Sequence, residues 1–146
     1  MSSLSELYQS VILEHNRSPR NYRVMEDADR QAEGNNPVCG DSLTVWLKLD
    51  GDRISDVSFH GMGCAISRAS ASLMTAAVKG KSRREAEEAF ERFRRLVTGR
   101  AELADAETLG KLAVFSGVSA YPTRVKCASL AWHTLKAALS TDTPTT

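Results

Sequence analysis

Residues 43–60 have the pattern of two antiparallel strands joined by a tight turn, and this hairpin restricts the chain to folds that contain a sheet. Apolar residues occupy every second position before the turn: Leu43, Val45, Leu47 and Leu49. Asp50-Gly51 is a strong hairpin turn signal, and it predicts a return strand from about Arg53 to His60. The alternation slips after Ile54, which predicts a bulge near Ser55-Asp56.

Helical periodicity occupies most of the remaining chain. The apolar stripes are Leu4, Leu7, Tyr8, Val11 and Ile12; Ile66, Ala69, Leu73 and Ala76-Ala77; Ala86, Ala89, Phe90, Phe93, Leu96 and Val97; Leu109 and Leu112; and Cys127, Ala128, Ala131, Leu135, Ala138 and Leu139. Ser82 and Glu85 have capping-box spacing, and Asp105 and Thr123 are predicted to cap the last two helices. Residues 23–38 show no period and are predicted to form a long loop. The pattern predicts an α+β fold, with a small antiparallel β-sheet packed against several α-helices.

Length and charge narrow the class of protein. A chain of 146 residues suits a single domain, 1–146, with the polar tail 140–146 expected to be disordered. Nineteen basic against eighteen acidic side chains leave a formal charge of +1, which argues against nucleic-acid and membrane partners. The first residues lack the pattern of a signal peptide, so a cytoplasmic location is expected. An odd count of three cysteines in a reducing compartment argues against a disulfide framework.

The three cysteines stand at unusual places. Cys39 lies in a loop flanked by Pro37 and Gly40, and Cys64 follows Gly61-Met62-Gly63 and is predicted to open a helix. Cys127 is predicted to lie in the first turn of the last helix. The N-terminus of a helix favours a thiolate. This arrangement favours a shared metal site or reactive thiols over inert buried thiols, although Cys127 alone would suit a core position.

Three thiolates need a fourth ligand to complete a tetrahedral zinc site. Asp41 is the nearest candidate in the sequence, and His60 is a weaker alternative. His15 and His133 are expected to be histidines of the surface or the edge of the core. No Cys-x-x-Cys pair is present, so the sequence does not predict a zinc ribbon or finger.

The segments around the cysteines resemble the motifs of the IscU-like proteins of iron–sulfur cluster assembly. The matching segments are Asn36–Asp41, Gly61–Ser67 with Ala69–Met74, and Arg124–Ala128 with Leu130 and Trp132. Pro19-Arg20-Asn21 also looks like the N-terminal signature of that family. The resemblance extends from about Leu4 to Leu139 and implies a SufE/IscU-like fold.

Two departures make the chain similar to the SufU branch of this family. Lys126 stands where the IscU scaffolds carry a histidine before the third cysteine, and an additional helical stretch lies around residues 90–109. The resemblance implies a zinc-dependent sulfurtransferase. Such a protein accepts persulfide sulfur from a pyridoxal-phosphate-dependent cysteine desulfurase (SufS-like) and passes it to a SufBCD-type assembly complex.

The resemblance also implies roles for individual residues. The zinc ligands would be Cys39, Asp41, Cys64 and Cys127. Cys39 is predicted to be the sulfur acceptor because it lies on a loop, and Cys127 is the second candidate. Arg124 is predicted to dock the partner, with local charge balance as its alternative role. The alternative function is an IscU-type scaffold on which iron and sulfide form a [2Fe–2S] cluster; a purely structural zinc site is a third possibility.

Overall fold

The computed structural model describes residues 3–37 and 40–140. Within them the elements are helix α1 (Ser3–Arg17), strands β1 (Arg30–Asn36), β2 (Asp41–Asp50) and β3 (Arg53–Met62), helices α2 (Ala65–Val78), α3 (Arg83–Val97) and α4 (Leu103–Leu109), a 3-10 helix (Gly110–Ala120) and helix α5 (Pro122–Ser140). The predicted α+β class is confirmed. Residues 141–146 of the predicted tail, and the side chains of Leu4 and Leu7, lie outside the description.

The predicted hairpin is confirmed as β2 and β3, the second and third strands of an antiparallel sheet of order β1-β2-β3. The alternating residues of β2 are buried on one face, and Val45 pairs with Phe59. The predicted bulge is also present. Lys48 pairs with Asp56 and Leu49 with Ile54, so Ser55 has no opposite residue in the ladder.

The prediction that residues 23–38 form one long loop was wrong, because β1 occupies its second half. This strand pairs with β2 from Arg30↔Leu47 to Asn36↔Asp41. Its sequence is polar, and Asn36 is the one residue of β1 that is buried. A Cβ atom on Gly34 would lie 2.0 Å from Thr134 Oγ1 on α5. The close approach of α5, rather than apolar alternation, therefore accounts for this strand.

The core lies between the sheet and the two central helices, α2 and α5. Nine residues of α2 and nine of α5 are buried, and Trp132 of α5 stacks on Phe93 of α3 with ring centroids 4.8 Å apart. Helix α1 is tied to α2 by polar groups. The Ser72 hydroxyl accepts the Arg20 N–H at 2.7 Å and lies 2.7 Å from His15 Nδ1, so its own proton is available to the histidine.

Two of the predicted caps differ from the structure. The Ser82–Glu85 capping box of α3 is confirmed by both of its hydrogen bonds. Asp105 is not a cap: Glu102 holds that position of α4, and the Asp105 carboxylate accepts its N–H at 3.0 Å and binds Arg95. Thr123 lies inside α5, which begins at Pro122 because proline is well suited to the first helical position.

No helix in residues 3–37 and 40–140 combines the length and the apolar character needed to cross a membrane.

Gly61 lies near the end of β3, shortly before Cys64, where the backbone of β2 leaves no room for a side chain. Its φ is 146°, and a Cβ atom there would lie 2.1 Å from the Ser42 carbonyl oxygen. Gly61→Ala is expected to destabilise the fold by about 2 kcal/mol or more, because neither backbone has room to move. Thermal unfolding measures this loss. Gly117→Ala is the matched control, since no atom lies within 4 Å of its added Cβ; equal melting temperatures for the two variants would contradict the close strand contact.

Candidate metal centre

Three separate elements bring a carboxylate and two thiols to one point. Asp41 is the first residue of β2, Cys64 precedes α2 as its N-cap, and Cys127 lies on α5. One oxygen of Asp41 and the sulfur atoms of Cys64 and Cys127 all lie within 4.8 Å of one another. Asp41 and Cys127 are buried, whereas Cys64 is partly exposed. The group therefore has two inner donors and one donor that solvent or a partner can approach.

Cys64 is held by one hydrogen bond at its own backbone N–H and by another at its sulfur. Its N–H donates to Asp41 Oδ1 at 2.8 Å, and its Sγ lies 3.8 Å from Asp41 Oδ2. The Ser67 N–H donates to the same sulfur at 3.4 Å, in the position where a helix usually has a capping oxygen. The prediction that Cys64 opens a helix is confirmed. This contact orients the Cys64 sulfur at the first turn of α2.

The predicted place of Cys127 was wrong by one turn. Because α5 begins at Pro122, Cys127 is its sixth residue and lies in the second turn. The unpaired N–H groups in the first turn of α5 therefore do not explain why Cys127 lies beside Asp41 and Cys64. Asn36 approaches instead, with its side-chain Nδ2 4.0 Å from the Cys127 sulfur. This contact explains why the last residue of β1 is buried although it is polar.

Positive charge lies at the surface next to this group. Arg124 and Lys126 of α5 are both exposed. The Arg124 guanidinium lies over the ring of Tyr121, 4.6 Å from the ring centroid, and Tyr121 is itself 52% exposed. The contact with the Tyr121 ring orients the exposed Arg124 guanidinium.

The three histidines lie outside the converging group. His15 is buried and bound to Ser72, and burial lowers its pKa. His60 is exposed and stacks on Tyr22 at 4.6 Å between ring centroids. His133 is exposed and meets Phe90 edge to face. The expectation for His15 was therefore wrong in one respect, since this residue belongs to the interior.

Two hydroxyl groups near the thiols were missed by the sequence analysis. The hydroxyl oxygens of Tyr8 on α1 and Ser67 on α2 are buried, and neither has a hydrogen-bond partner within the described part of the chain. The pKa of Tyr8 is raised, chiefly by burial; Arg124 opposes this, and Cys64 and Cys127 add to it. Periodicity places Tyr8 in an apolar stripe, which conceals where its hydroxyl points.

Cys39 lies outside the described residues, so its predicted roles as ligand and sulfur acceptor stay predictions. The chain on either side of it is described. The Gly40 N–H donates to the Asn36 carbonyl oxygen at 2.8 Å, and Gly40 has a φ of 73°. Glycine is favoured at this left-handed conformation.

The donors fit zinc. Thiolates and a carboxylate are common zinc ligands, and at bond lengths of 2.0–2.3 Å their atoms stand about 3.5–3.8 Å apart in a tetrahedral site. The separations in the structure are at most 4.8 Å, so a small inward movement would satisfy that geometry. The orphaned Tyr8 and Ser67 hydroxyls are also consistent with a site that holds an electron-rich group.

Residues 7–128 match the family model described as the NifU-like N terminal domain. The chain belongs to this family. A Bacillus subtilis member, the zinc-dependent sulfurtransferase SufU, is 42% identical over 92% of this chain and 90% of its own. A Streptococcus pyogenes member, the iron–sulfur cluster assembly scaffold protein IscU, is 40% identical over 95% of this chain and 86% of its own.

The solved structures agree with the family assignment and with the predicted IscU-like fold. A Fervidobacterium islandicum AW-1 protein, FiSufU, is described as an iron–sulfur cluster assembly scaffold protein for the SUF system. It superposes on this chain with a TM-score of 0.85, at 37% identity, over 95% of this chain and all of the other. Members of the family named for sulfur transfer and members named as scaffolds are thus similarly close to this chain.

Proposed function

We propose that this protein accepts persulfide sulfur from a SufS-like cysteine desulfurase and carries it to a SufBCD-type complex for iron–sulfur cluster assembly. Its metal would be zinc, bound by Cys39, Asp41, Cys64 and Cys127. The observation that carries the proposal is the convergence of Asp41, Cys64 and Cys127 within 4.8 Å. The similarity to a protein named as a zinc-dependent sulfurtransferase supports it. Zinc would supply a Lewis acid that keeps thiols deprotonated at neutral pH without redox chemistry.

Hydrogen bonds within this chain already orient Asp41 and Cys64 in the absence of a partner. The buried Asp41 carboxylate is oriented by the Cys64 N–H, which leaves its second oxygen directed toward the sulfur. The Ser67 N–H orients the Cys64 sulfur. Partial exposure of Cys64 beside two buried donors defines the open side of the site.

The transfer itself is a thiol–persulfide exchange. The Cys39 thiolate attacks the outer sulfur of the desulfurase persulfide, and a new S–S bond forms on Cys39. The S–S bond in the donor breaks, and the donor cysteine leaves as a thiolate with the electron pair. The outer sulfur keeps its oxidation state, so the exchange needs neither oxidant nor reductant.

A single-turnover transfer experiment tests the proposal. The protein is mixed with a desulfurase already carrying a persulfide, and its intact mass is measured under non-reducing conditions. The expected result is a gain of one sulfur atom on this chain and its loss from the desulfurase. Protein alkylated beforehand is the control. Absence of transfer from a persulfide-loaded desulfurase to zinc-loaded protein would overturn the proposed function.

We further propose that Arg124 docks the desulfurase. Arg124→Ala is expected to raise the desulfurase concentration needed for half-maximal transfer about 10-fold, the size of effect typical of a central interface arginine. Transfer rates measured across partner concentrations test this. Arg84→Ala is the matched control, because Arg84 is also exposed and pairs with Glu88 on α3. Unchanged partner dependence in Arg124→Ala would confine Arg124 to local charge balance.

A scaffold function is the second candidate, favoured by the Streptococcus pyogenes relative named as a scaffold. The same set of Cys39, Asp41, Cys64 and Cys127 could ligate the iron of a [2Fe–2S] cluster. Anaerobic reconstitution with iron and sulfide, followed by visible absorption, separates the two candidates. A stable coloured cluster that survives added zinc would favour the scaffold.

A further inference from the structure

The sulfur atoms of Cys64 and Cys127 lie close enough to be joined by a covalent bond. They are within 4.8 Å of each other, and a disulfide bond is about 2.0 Å long, so each sulfur has to move by at most about 1.4 Å. Rotation about the Cα–Cβ bonds supplies a movement of this size. Beside Cys127, α2 and α5 are tied together, because the Ser70 hydroxyl donates to the Ala128 carbonyl oxygen at 2.6 Å. The fold therefore keeps the two sulfurs within reach of each other.

The two cysteines differ in their exposure to solvent. Cys64 is partly exposed, whereas Cys127 has only 3% of its surface exposed. A peroxide molecule in solvent can therefore reach Cys64 and is kept away from Cys127. When an accessible cysteine is oxidised first, a second thiol within reach converts it into a disulfide before further oxidation occurs. Cys64 and Cys127 have the positions that these two roles require.

We propose that hydrogen peroxide converts Cys64 and Cys127 into a reversible disulfide, which makes this pair a site of oxidative modification. The Cys64 thiol first becomes a sulfenic acid: an S–O bond forms, the O–O bond of the peroxide takes two electrons from sulfur and breaks, and one water leaves. The Cys127 thiol then attacks the Cys64 sulfur, an S–S bond forms, and the oxygen leaves with the Cys127 proton as a second water. In total, two thiols and one peroxide give one disulfide and two waters.

The disulfide releases the metal. Thiolates are the form of cysteine that binds zinc, and a disulfide has none, so the bond removes two of the four proposed ligands. A thiol reductant restores both ligands and, with them, metal binding. The inference rests on the proposed function only for the bound zinc, since the distance between the two sulfurs belongs to the chain itself.

Peptide mapping of the oxidised protein tests the proposal. Zinc-loaded protein is treated with hydrogen peroxide beside a chromogenic zinc chelator, and the same mixture without peroxide gives the background release. The intact mass is expected to fall by two hydrogen atoms, and one zinc ion is expected to be released per cross-linked chain. Trypsin separates the three cysteines onto different peptides, because Lys48, Arg68 and Lys126 stand between them. The cross-link is expected to join the peptides of Cys64 and Cys127, and dithiothreitol is expected to reverse it.

Two variants serve as controls. Met62 is 79% exposed and lies two residues before Cys64, so it can itself gain oxygen from peroxide. Met62→Leu excludes that reaction and is expected to form the cross-link unchanged. Cys127→Ser removes the thiol that closes the disulfide, and Cys64 in this variant is expected to be oxidised to the sulfinic acid.

Three results in the unmutated protein would overturn the proposal: a cross-link to Cys39, a sulfinic acid on Cys64 in place of a cross-link, or cross-linked protein that keeps its zinc. Failure of the proposed function is distinguishable, because it would appear in the reduced protein as an absence of sulfur transfer. The same mapping on metal-free protein tests the cross-link independently of zinc.

Discussion

A Cys39→Ala variant is expected to leave the turnover of the desulfurase at the rate of the desulfurase alone, whereas the unmutated protein is expected to raise it. The reason is chemical: without the acceptor thiolate no S–S bond can form on this protein, and the desulfurase must wait for a slower acceptor. Sulfide or alanine release, measured with cysteine as substrate, gives the size of the loss.

The loss in Cys39→Ala has two possible causes, since Cys39 is proposed to be both acceptor and metal ligand. Mapping the persulfide in the unmutated protein separates them. Alkylation after a single turnover, followed by peptide mass spectrometry, is expected to place the additional sulfur on Cys39. A persulfide found on Cys127 would transfer the acceptor role to that residue and leave Cys39 as a ligand.

An Asp41→Ala variant is expected to be purified without zinc and to bind added zinc more than about 100-fold more weakly, because outer partners of ligands alone account for 10- to 100-fold. The unmutated protein should gain about 2.7 kcal/mol of stability at a zinc concentration 100 times its Kd, and the variant should gain no more than about 0.4 kcal/mol there. Metal analysis and thermal unfolding with and without zinc measure both effects.

The matched control for Asp41→Ala is Asp29→Ala. The Asp29 carboxylate also accepts a backbone N–H, from Leu49 at 2.7 Å, at the opposite end of β2. Its removal should leave zinc binding unchanged. Asp41→Asn adds a second comparison, because it keeps an oxygen for the Cys64 N–H and loses the negative charge. Normal zinc content in Asp41→Asn would show that Asp41 serves the helix cap and not the metal.

Local patterns of the sequence predicted the parts of this fold that local physics decides. The β2–β3 hairpin follows from alternation around Asp50-Gly51, and the start of α2 follows from the change of pattern after Gly63. Both signals lie within a few residues of the feature that they predict. The special positions of the cysteines supported only a hypothesis that Asp41, Cys64 and Cys127 converge.

Features decided by distant parts of the chain were missed. Strand β1 is polar, and its place against β2 depends on α5 approaching Gly34. The direction of the Tyr8 hydroxyl depends on how α1 crosses α2, and no periodicity records that crossing. Cys127 lies one turn later in α5 than predicted, because the helix begins at Pro122 and Thr123 is not its cap.

The sulfur of Cys64 also helps to anchor the first turn of α2. It accepts the Ser67 N–H at the start of α2, and nine of the fourteen residues of that helix are buried. Any event that removes electron density from this sulfur, such as alkylation or oxidation, weakens the anchoring of the first turn. Damage to one partly exposed atom therefore affects a helix that contributes nine buried residues to the interior.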